Sequence, residues 1–133
     1  MMGRSINDEV PLPSAIADHL QNTLTTGHFQ SICIYSHEGL PIASIGDADA
    51  QLENNLLEVA LMALEIGKIS SQISELGNLH EVVVEGVGKT RFVYRTIAFL
   101  DRSALLAVVV PARKAYRGAI NRLQKAVARL NAE

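Results

Sequence analysis

The triplet Gly88-Lys89-Thr90 is one segment of the chain that could do chemistry. It follows the apolar run Val82–Val84, and a glycine, lysine and threonine placed after a strand end the phosphate-binding loop of many nucleotide-binding proteins. The complete motif needs a glycine five residues before Gly88, where this chain has Val83. It also needs a helix after the lysine, because amides at a helix N-terminus hold the phosphate, and Arg91–Tyr94 has the pattern of a strand. We therefore predict a hairpin turn at this triplet and no nucleotide site.

A second segment, Ser36-His37-Glu38, places a nucleophile, a base and an acid side by side. Hydrolases assemble such groups from separate parts of the chain, whereas adjacent residues of a turn point in different directions. The nucleophile elbow G-x-S-x-G is also absent from the sequence. We interpret these residues as the polar part of a turn that ends at Gly39.

The remaining reactive side chains do not form a metal or thiol site. The four histidines lie in separate contexts and have no zinc-like spacing with the cysteine: His19, His28, His37 and His80. Cys33 lies in an apolar run without a basic neighbour that would activate the thiol, so we expect a small buried side chain. The carboxylates of the long helical segment form no close pair on one face: Glu53, Glu58, Glu65 and Glu75. We accordingly predict a protein that is not an enzyme, with no metal and no other cofactor.

Charge is distributed unevenly along the 133 residues. The net charge is −2, which argues against general nucleic-acid binding. Nine acids between Glu38 and Glu85 accompany a single base, Lys68, whereas the chain from Arg113 onward has six bases and no acid before Glu133. Because those bases follow helical spacing, we interpret them as the solvated outer face of an amphipathic helix rather than a partner-binding face.

Size and hydropathy predict a single cytoplasmic domain. A chain of 133 residues can bury a core on its own. Residues 1–14 carry charges and prolines where a signal peptide needs an apolar run, and no segment reaches the ~18 apolar residues of a membrane span. The single cysteine excludes an internal disulfide and fits a reducing compartment. We expect a flexible N-terminus at residues 1–13 and one domain at residues 14–131.

Apolar spacing and turn residues predict three helices and five strands. The strands are expected at residues 29–35, 40–45, 79–85, 90–99 and 104–110, and the helices at 14–27, at 50–76 and from 113 onward. Pro41 cannot donate to a ladder, so the second strand belongs at a sheet edge. Ala104–Val110 has no polar residue and belongs at the centre. With hairpin partners outside the two most apolar strands, the sheet is antiparallel in the order 2-1-5-4-3.

This sheet needs helices on both faces. We predict an α/β fold of the α+β type, with the long middle helix on one face and the N- and C-terminal helices on the other. A helix is ~10–12 Å across, and five strands at a spacing of ~4.8 Å span about twice that width. Residues 52–66 of the middle helix also carry more apolar positions than one core-facing stripe requires. We therefore expect a second copy to cover the remaining apolar surface.

The segment Ile32–Ser44 resembles the signature of the roadblock family, which is related to dynein light chains. An apolar strand is followed by a polar turn that ends in Gly39, and then by Leu40-Pro41-Ile42-Ala43-Ser44. The closing strand Leu105–Val110 and the helix after it are also similar to those of the family, and the order of elements matches from about Ser14 to Leu130. The resemblance implies a roadblock-like domain of profilin/longin-like architecture, similar to the stand-alone prokaryotic members.

The resemblance also implies a dimer, in which the middle helices pack side by side and the third strands pair into one continuous sheet. The residue pattern and the resemblance together predict a homodimer interface, with a heterodimer as the alternative. Its predicted members are Leu56, Val59, Ala60, Met62, Ala63, Ile66, Val82, Val83 and Val84. Pairing through these residues would cover an apolar patch and an open strand edge together.

Roadblock proteins regulate or scaffold small Ras-like GTPases, or serve as light chains that hold motor complexes. The resemblance therefore implies a non-enzymatic dimeric scaffold or regulator that binds a small GTPase or its signalling complex. Two alternatives stay open, namely a small-molecule-sensing domain and a light-chain-like structural subunit of a larger assembly. The predicted strands offer few inward-facing polar groups for a ligand pocket, which favours the scaffold over the sensor.

Overall fold

The computed structural model describes residues 13–131, in which the chain forms three helices and five strands. The helices are α1 (Ser14–Gly27), α2 (Ala50–Ser71) and α3 (Arg117–Asn131). The strands are β1 (Ser31–Ser36), β2 (Pro41–Gly46), β3 (Glu81–Glu85), β4 (Arg91–Phe99) and β5 (Arg102–Val110). Apart from Pro13, the N-terminal segment predicted to be flexible lies outside the described residues, and the domain boundary at residues 14–131 stays a prediction.

The five strands form one antiparallel sheet in the order β2-β1-β5-β4-β3, which confirms the predicted topology. β5 lies at the centre because Ala104–Val110 is buried at every position and finds apolar cover on both faces. β2 lies at an edge, as its first residue Pro41 requires. The register between β1 and β2 shifts by one residue between Ile34 and Tyr35, next to this proline.

Two separate apolar clusters, one on each face of the sheet, form the core. On one face α1 and α3 bury the side chains that their helical spacing predicts, including Ile16, Leu20, Ile120, Leu123 and Val127. On the other face α2 alone buries three small or medium side chains against the sheet, Leu56, Ala60 and Ala63. The predicted division into one long helix opposite two terminal helices is therefore confirmed.

The ends of α2 follow from local hydrogen bonds. At the N-terminus, the carboxylate of Asp49 accepts a 2.8 Å bond from the Leu52 amide and caps the helix. The helix was expected to reach Leu76 but ends at Ser71. Here the Ser70 hydroxyl donates to the Gly77 carbonyl at 2.6 Å and the Ser71 hydroxyl donates to the Lys68 carbonyl at 2.9 Å. Such side-chain bonds compete with continued helix, so residues 72–76 turn back toward β3.

The connections after β4 and β5 also differ in detail from the expected boundaries. Leu100 and Asp101 both have positive φ, of 51° and 66°, which is the conformation of a two-residue hairpin turn. The prediction of a hairpin between β4 and β5 is thus confirmed. The last helix was expected near Arg113 but begins at Arg117, because a turn at residues 112–113 follows Pro111 and gives Arg113 a φ of 67°.

Candidate protein interface

A stripe of exposed apolar side chains runs along the outer flank of α2. Met62, Ile66 and Ile69 are 58%, 46% and 54% exposed, and Val59 is half-buried at the start of the same stripe. Their spacing of three, four and three residues keeps them on one side of the helix. Ile73 and Leu76 extend the apolar surface into the turn after the helix. These six residues are called the α2 stripe below. Three large exposed apolar side chains in a row on one helix make this surface a candidate for protein contact.

The residues of α2 predicted for the interface fall into two groups. Met62 and Ile66 lie in the α2 stripe, and Val59 lies at its half-buried margin. Leu56, Ala60 and Ala63 instead face the sheet, where each is at most 2% exposed and contacts the cluster around Tyr35 and Tyr94. The first group is available to a second chain, and the second group holds α2 on its own sheet.

Sequence reasoning missed the continuation of the stripe beyond Ile66. Ile69, Ile73 and Leu76 follow from Met62 at the alternating spacing of four and three residues that packed helices use. Applying this spacing from Val59 onward would have found them. The residues that face the sheet are also apolar, so composition alone does not separate the two sides.

β3 is an open edge of the sheet, since within the described residues it pairs with β4 alone. The Thr96 amide donates to the His80 carbonyl at 3.2 Å, and the Gly86 amide donates to the Thr90 carbonyl at 2.7 Å. In an antiparallel pair, alternate residues direct their main-chain groups toward the neighbour. The intervening positions of this register therefore direct their amides and carbonyls away from β4, to the open edge. These positions are Glu81, Val83 and Glu85.

The valines predicted for the interface occupy both faces of β3. Val82 is half-buried and packs against the cluster beneath α2, opposite Tyr94 of β4. Val84 lies on the same face, and Val83 lies on the face covered by the terminal helices; both are exposed, at 37% and 41%. The strand thus offers free main-chain groups together with partly exposed valines. This combination favours pairing with another strand.

A network of polar side chains fixes β3 against the rest of the protein. The Glu81 carboxylate accepts a 2.6 Å ion-pair contact from Arg95 of β4 and a 3.0 Å hydrogen bond from the hydroxyl of Tyr116. Arg95 also donates to Asn121 and Gln124 of α3. Burial, aided by the hydrogen bond to Glu81, raises the pKa of Tyr116, so its hydroxyl remains a donor. These contacts therefore hold β3, and with it the open edge, in a defined position.

The α2 stripe and the β3 edge lie on the same side of the molecule. Gly39 of the β1–β2 turn lies under α2 on the opposite side, where a Cβ atom built on it would be 2.5 Å from Leu61 and 3.9 Å from Leu64. Leu64 and Ile66 are separated by roughly 200° around the helix axis. Ile66 therefore faces away from β1 and β2, toward the side of the sheet where β4 and β3 lie. A partner that covers the stripe can reach the open edge as well.

Gly88-Lys89-Thr90 forms the turn that the sequence analysis predicted. Val87–Lys89 is a short 3-10 segment in which Gly88 and Lys89 have φ values of 73° and 67°, and Thr90 leads directly into β4. No helix N-terminus follows the lysine, so the triplet lacks the amides that would bind a phosphate.

Ser36-His37-Glu38 is likewise part of a turn. The Ser36 hydroxyl accepts hydrogen bonds from the amides of Glu38 and Leu40, at 3.2 and 3.1 Å, and so closes the loop between β1 and β2. A hydroxyl used in this way stabilises a turn. This observation supports the structural interpretation of the segment.

The structure also shows where Cys33 lies and how the side chains that could bind a metal are arranged. Cys33 is buried in β1, with its sulfur 3.5 Å from the Ser44 hydroxyl. Within residues 13–131, no three histidine, cysteine or carboxylate side chains come together in a way that could hold a metal ion. No helix in the same range is long and apolar enough to cross a membrane.

Comparison with solved structures identifies the fold. The gliding protein MglB from Thermus thermophilus superposes with a TM-score of 0.68 at 16% identity, over 90% of each chain. A Roadblock/LC7 domain from Streptomyces avermitilis gives 0.60 at 20% identity, over 91% of this chain and 92% of that one. A LokiProfilin1 structure in complex with rabbit actin gives 0.54 at 15% identity, over 92% and 98%. No protein-family model and no curated protein matches the sequence. The chain has the roadblock fold, which confirms the resemblance to the roadblock family at the level of the fold and the predicted profilin-like architecture.

Proposed function

We propose that two copies of this chain pair through the α2 stripe and the β3 edge, and that the pair is a non-enzymatic platform for a small Ras-like GTPase. The observation that carries the pairing is the coincidence of an exposed apolar stripe with an open strand edge on one side of the molecule. Either feature alone invites unspecific association. A second copy covers both in a single interface.

The outward-facing groups of β3 fit pairing about a two-fold axis. Glu81, Val83 and Glu85 are symmetric about Val83, so two antiparallel β3 strands can exchange main-chain bonds with Val83 at the centre. A two-fold interface uses the same patch on both copies. Two five-stranded sheets would then join into one, and the two α2 helices would lie next to each other above the junction.

The charged side chains beside the β3 edge are compatible with this arrangement. Centring the pair on Val83 places Glu81 opposite Glu85 of the second copy, and like charges directly opposite destabilise a sheet. Each glutamate, however, has an arginine across from it on β4: Arg95 opposite Glu81 and Arg91 opposite Glu85. The local charge is therefore balanced within each copy before pairing.

The GTPase part of the proposal rests on the roadblock signature at Ile32–Ser44 and on the fold that the chain shares with a Roadblock/LC7 domain. The chemical groups that could have argued for an enzyme have structural roles instead. Ser36 closes a turn, and Gly88-Lys89-Thr90 forms another. A regulator of this kind would act by positioning the GTPase, without supplying a catalytic side chain of its own.

Sedimentation velocity tests the pairing. The wild-type chain should sediment as a dimer, and Ile66→Glu should give a folded monomer because it places two charges in the proposed helix contact. Gln21→Glu is the matched control, since it adds the same charge to an exposed position of α1 on the opposite face. A wild-type chain that sediments as a monomer at all concentrations would refute the pairing.

The GTPase part needs a separate measurement. A small Ras-like GTPase encoded next to this protein, loaded with a non-hydrolysable GTP analogue, should co-elute with the wild-type dimer in size-exclusion chromatography. The rate at which the GTPase hydrolyses GTP, or exchanges its bound nucleotide, should change when the wild-type protein is added. It should change much less when the Ile66→Glu variant is added. If the protein is dimeric but neither a complex nor a rate change is observed, the proposed pairing stands and the proposed binding of a GTPase is rejected.

A further inference from the structure

A cleft lies under the C-terminal half of α2, at the end of the sheet formed by the β1–β2 turn and the β4–β5 hairpin. Its volume is about 470 Å³, which falls within the range of small-molecule sites. Buried Ala63 and Leu105 contribute to an apolar floor, and exposed His37, Lys68 and Ser103 stand at its rim. None of the residues of the α2 stripe or of β3 lines it. The cleft therefore remains open when two copies pair as proposed.

The rim of the cleft carries one cation, Lys68, beside several hydrogen-bonding groups. No aspartate or glutamate is among the lining residues in the described part of the chain. The Lys68 ammonium is 3.9 Å from the Glu65 carboxylate, but both side chains are well exposed, at 70% and 67%. A pair of this kind is weak and is easily exchanged for another anion. Lysine, histidine and serine can all donate hydrogen bonds to such an anion.

Gly67 is the second observation that points to a ligand. It lies inside α2 in helical conformation, where glycine is the least favourable residue after proline. Its backbone does not have positive φ, and a Cβ atom at this position would be 3.7 Å from Leu79, an ordinary contact. Neither conformation nor close packing therefore requires a glycine. Its effect is to leave space in the wall of the cleft.

We propose that this cleft binds a small amphiphilic anion, an apolar body that carries one carboxylate or similar anionic group. The apolar part would rest on Ala63 and Leu105, and the anionic group would lie at the rim near Lys68 and His37. This inference does not depend on the GTPase or on dimerisation. The strands were expected to offer few inward-facing polar groups for a ligand. The cleft takes its polar groups instead from the β1–β2 turn, from α2 and from the ends of the strands.

Phenylbutyrate and its neutral analogue phenylbutyramide test the site in the full-length protein. The two probes share the phenylbutyl body and differ in the head group, which is a carboxylate in one and a neutral amide in the other. The aromatic ring displaces nearby amide resonances in a heteronuclear NMR titration. We expect saturable shifts for the amides of His37, Gly67, Lys68 and Ser103, with the carboxylate bound more tightly than the amide. Lys68→Gln should lower the affinity for phenylbutyrate about fivefold and leave that for phenylbutyramide unchanged. Lys125→Gln, which removes the same charge from α3, should change neither affinity.

Filling the cleft tests its role independently of charge. Gly67→Leu should abolish the binding of both probes, and the milder Gly67→Ala should weaken binding while raising the thermal midpoint of unfolding. Shifts that map to Met62, Ile66 and Ile69 would overturn the proposal, because they would assign the probe to the α2 stripe. Equal affinity for both probes, or binding unaffected by Gly67→Ala and by Lys68→Gln, would overturn it as well.

Discussion

The hydroxyl of Tyr94 in β4 donates a 3.0 Å hydrogen bond to the main-chain carbonyl of Leu56 in α2. Both residues are buried, at 1% and 0% exposure. The bond joins the middle of β4 to the N-terminal half of α2, and together with the packing of Leu56, Ala60 and Ala63 it holds one side of α2 on the sheet. Met62, Ile66 and Ile69 face outward as a consequence. The position of the proposed interface thus depends on a contact made on the sheet-facing side of the helix.

Replacing Tyr94 with phenylalanine should lower the free energy of unfolding by about 1 kcal/mol. The substitution removes one buried hydrogen bond but keeps the ring, and the Leu56 carbonyl retains its place in the helical hydrogen bonding. Urea denaturation followed by circular dichroism measures the change. Tyr116→Phe is the comparison, because the Tyr116 hydroxyl bonds to the partly exposed Glu81 and its loss should cost less. Equal or larger losses for Tyr116→Phe would contradict this ranking.

Stability should fall with increasing pH above about pH 10. Burial raises the pKa of Tyr35 and of Tyr94 well above the ordinary value of about 10. At higher pH the unfolded chain therefore loses these protons while the folded protein retains them, and the free energy of unfolding decreases. The expected slope is about 1.4 kcal/mol per pH unit for each tyrosine. Unfolding curves recorded at roughly pH 9 to 11 measure this slope. It should become shallower in Tyr94→Phe, and an unchanged slope would show that other groups cause the loss.

Gly46→Ala should destabilise the protein more than Gly77→Ala, by about 1–3 kcal/mol. Both glycines have positive φ, 108° and 67°, so both substitutions strain the backbone. At Gly46 the new Cβ atom would also lie 2.5 Å from the Gln30 carbonyl oxygen and 2.8 Å from the Ser31 Cα atom, which are backbone atoms that cannot rotate away. Nothing lies within 4 Å of the corresponding position at Gly77. Thermal unfolding of the two variants compares them, and similar midpoints would contradict the predicted clash.

Charge insertion should have different consequences on the two sides of α2. Ile69→Glu should weaken dimerisation with little effect on the unfolding of the monomer, since Ile69 is 54% exposed. Ala63→Glu should instead destabilise the fold by several kcal/mol, because Ala63 is 2% exposed and a buried unpaired charge is costly. Sedimentation velocity and circular dichroism on the same samples separate the two effects. A folded Ala63→Glu dimer would show that α2 is less closely packed on its sheet than the structure indicates.

The two ion pairs of the described residues should differ in how much they contribute to the free energy of unfolding. Arg95→Ala should lower the free energy of unfolding by about 2 kcal/mol, because the Arg95 and Glu81 side chains are only 12% and 22% exposed and the loss leaves Glu81 without its cation. Lys68→Ala should change it by less than about 0.5 kcal/mol, since the Lys68–Glu65 pair is exposed and 3.9 Å long. Urea denaturation of both variants checks the ranking. A larger effect at Lys68 would contradict it.

Much of the fold could be predicted because the signals that specify it are local. Asp49 caps α2, Pro41 restricts β2 to an edge, and the unbroken apolar run Ala104–Val110 requires the centre of the sheet. Each of these follows from the chemistry of one residue or one short segment. The boundaries that were wrong, at the end of α2 and the start of α3, depend on side-chain bonds such as that of Ser70 to Gly77. Sequence spacing does not show those bonds.

The candidate interface was only partly predictable. The excess of apolar residues on α2 predicted a second apolar surface besides the one on the sheet, and Met62, Ile66 and Val59 lie on or beside the exposed surface. Leu56, Ala60 and Ala63 were assigned with them, although they face the sheet. A helix with apolar residues on most of its circumference has no polar back that would indicate its orientation. The cleft near Lys68 was not predicted at all, because its walls come from five separate segments of the chain.

The sequence by itself determined the elements, their order in the sheet and the excess of apolar surface on α2, since apolar periodicity, proline, glycine and caps act over a few residues. The tertiary structure alone decided which side of α2 meets the sheet and which meets solvent. That choice is made by contacts between residues far apart in the chain, Tyr94 with Leu56 and Gly39 with Leu61. Only after these contacts form do the α2 stripe, the outward-facing groups of β3 and the cleft at Gly67 take their positions on the surface.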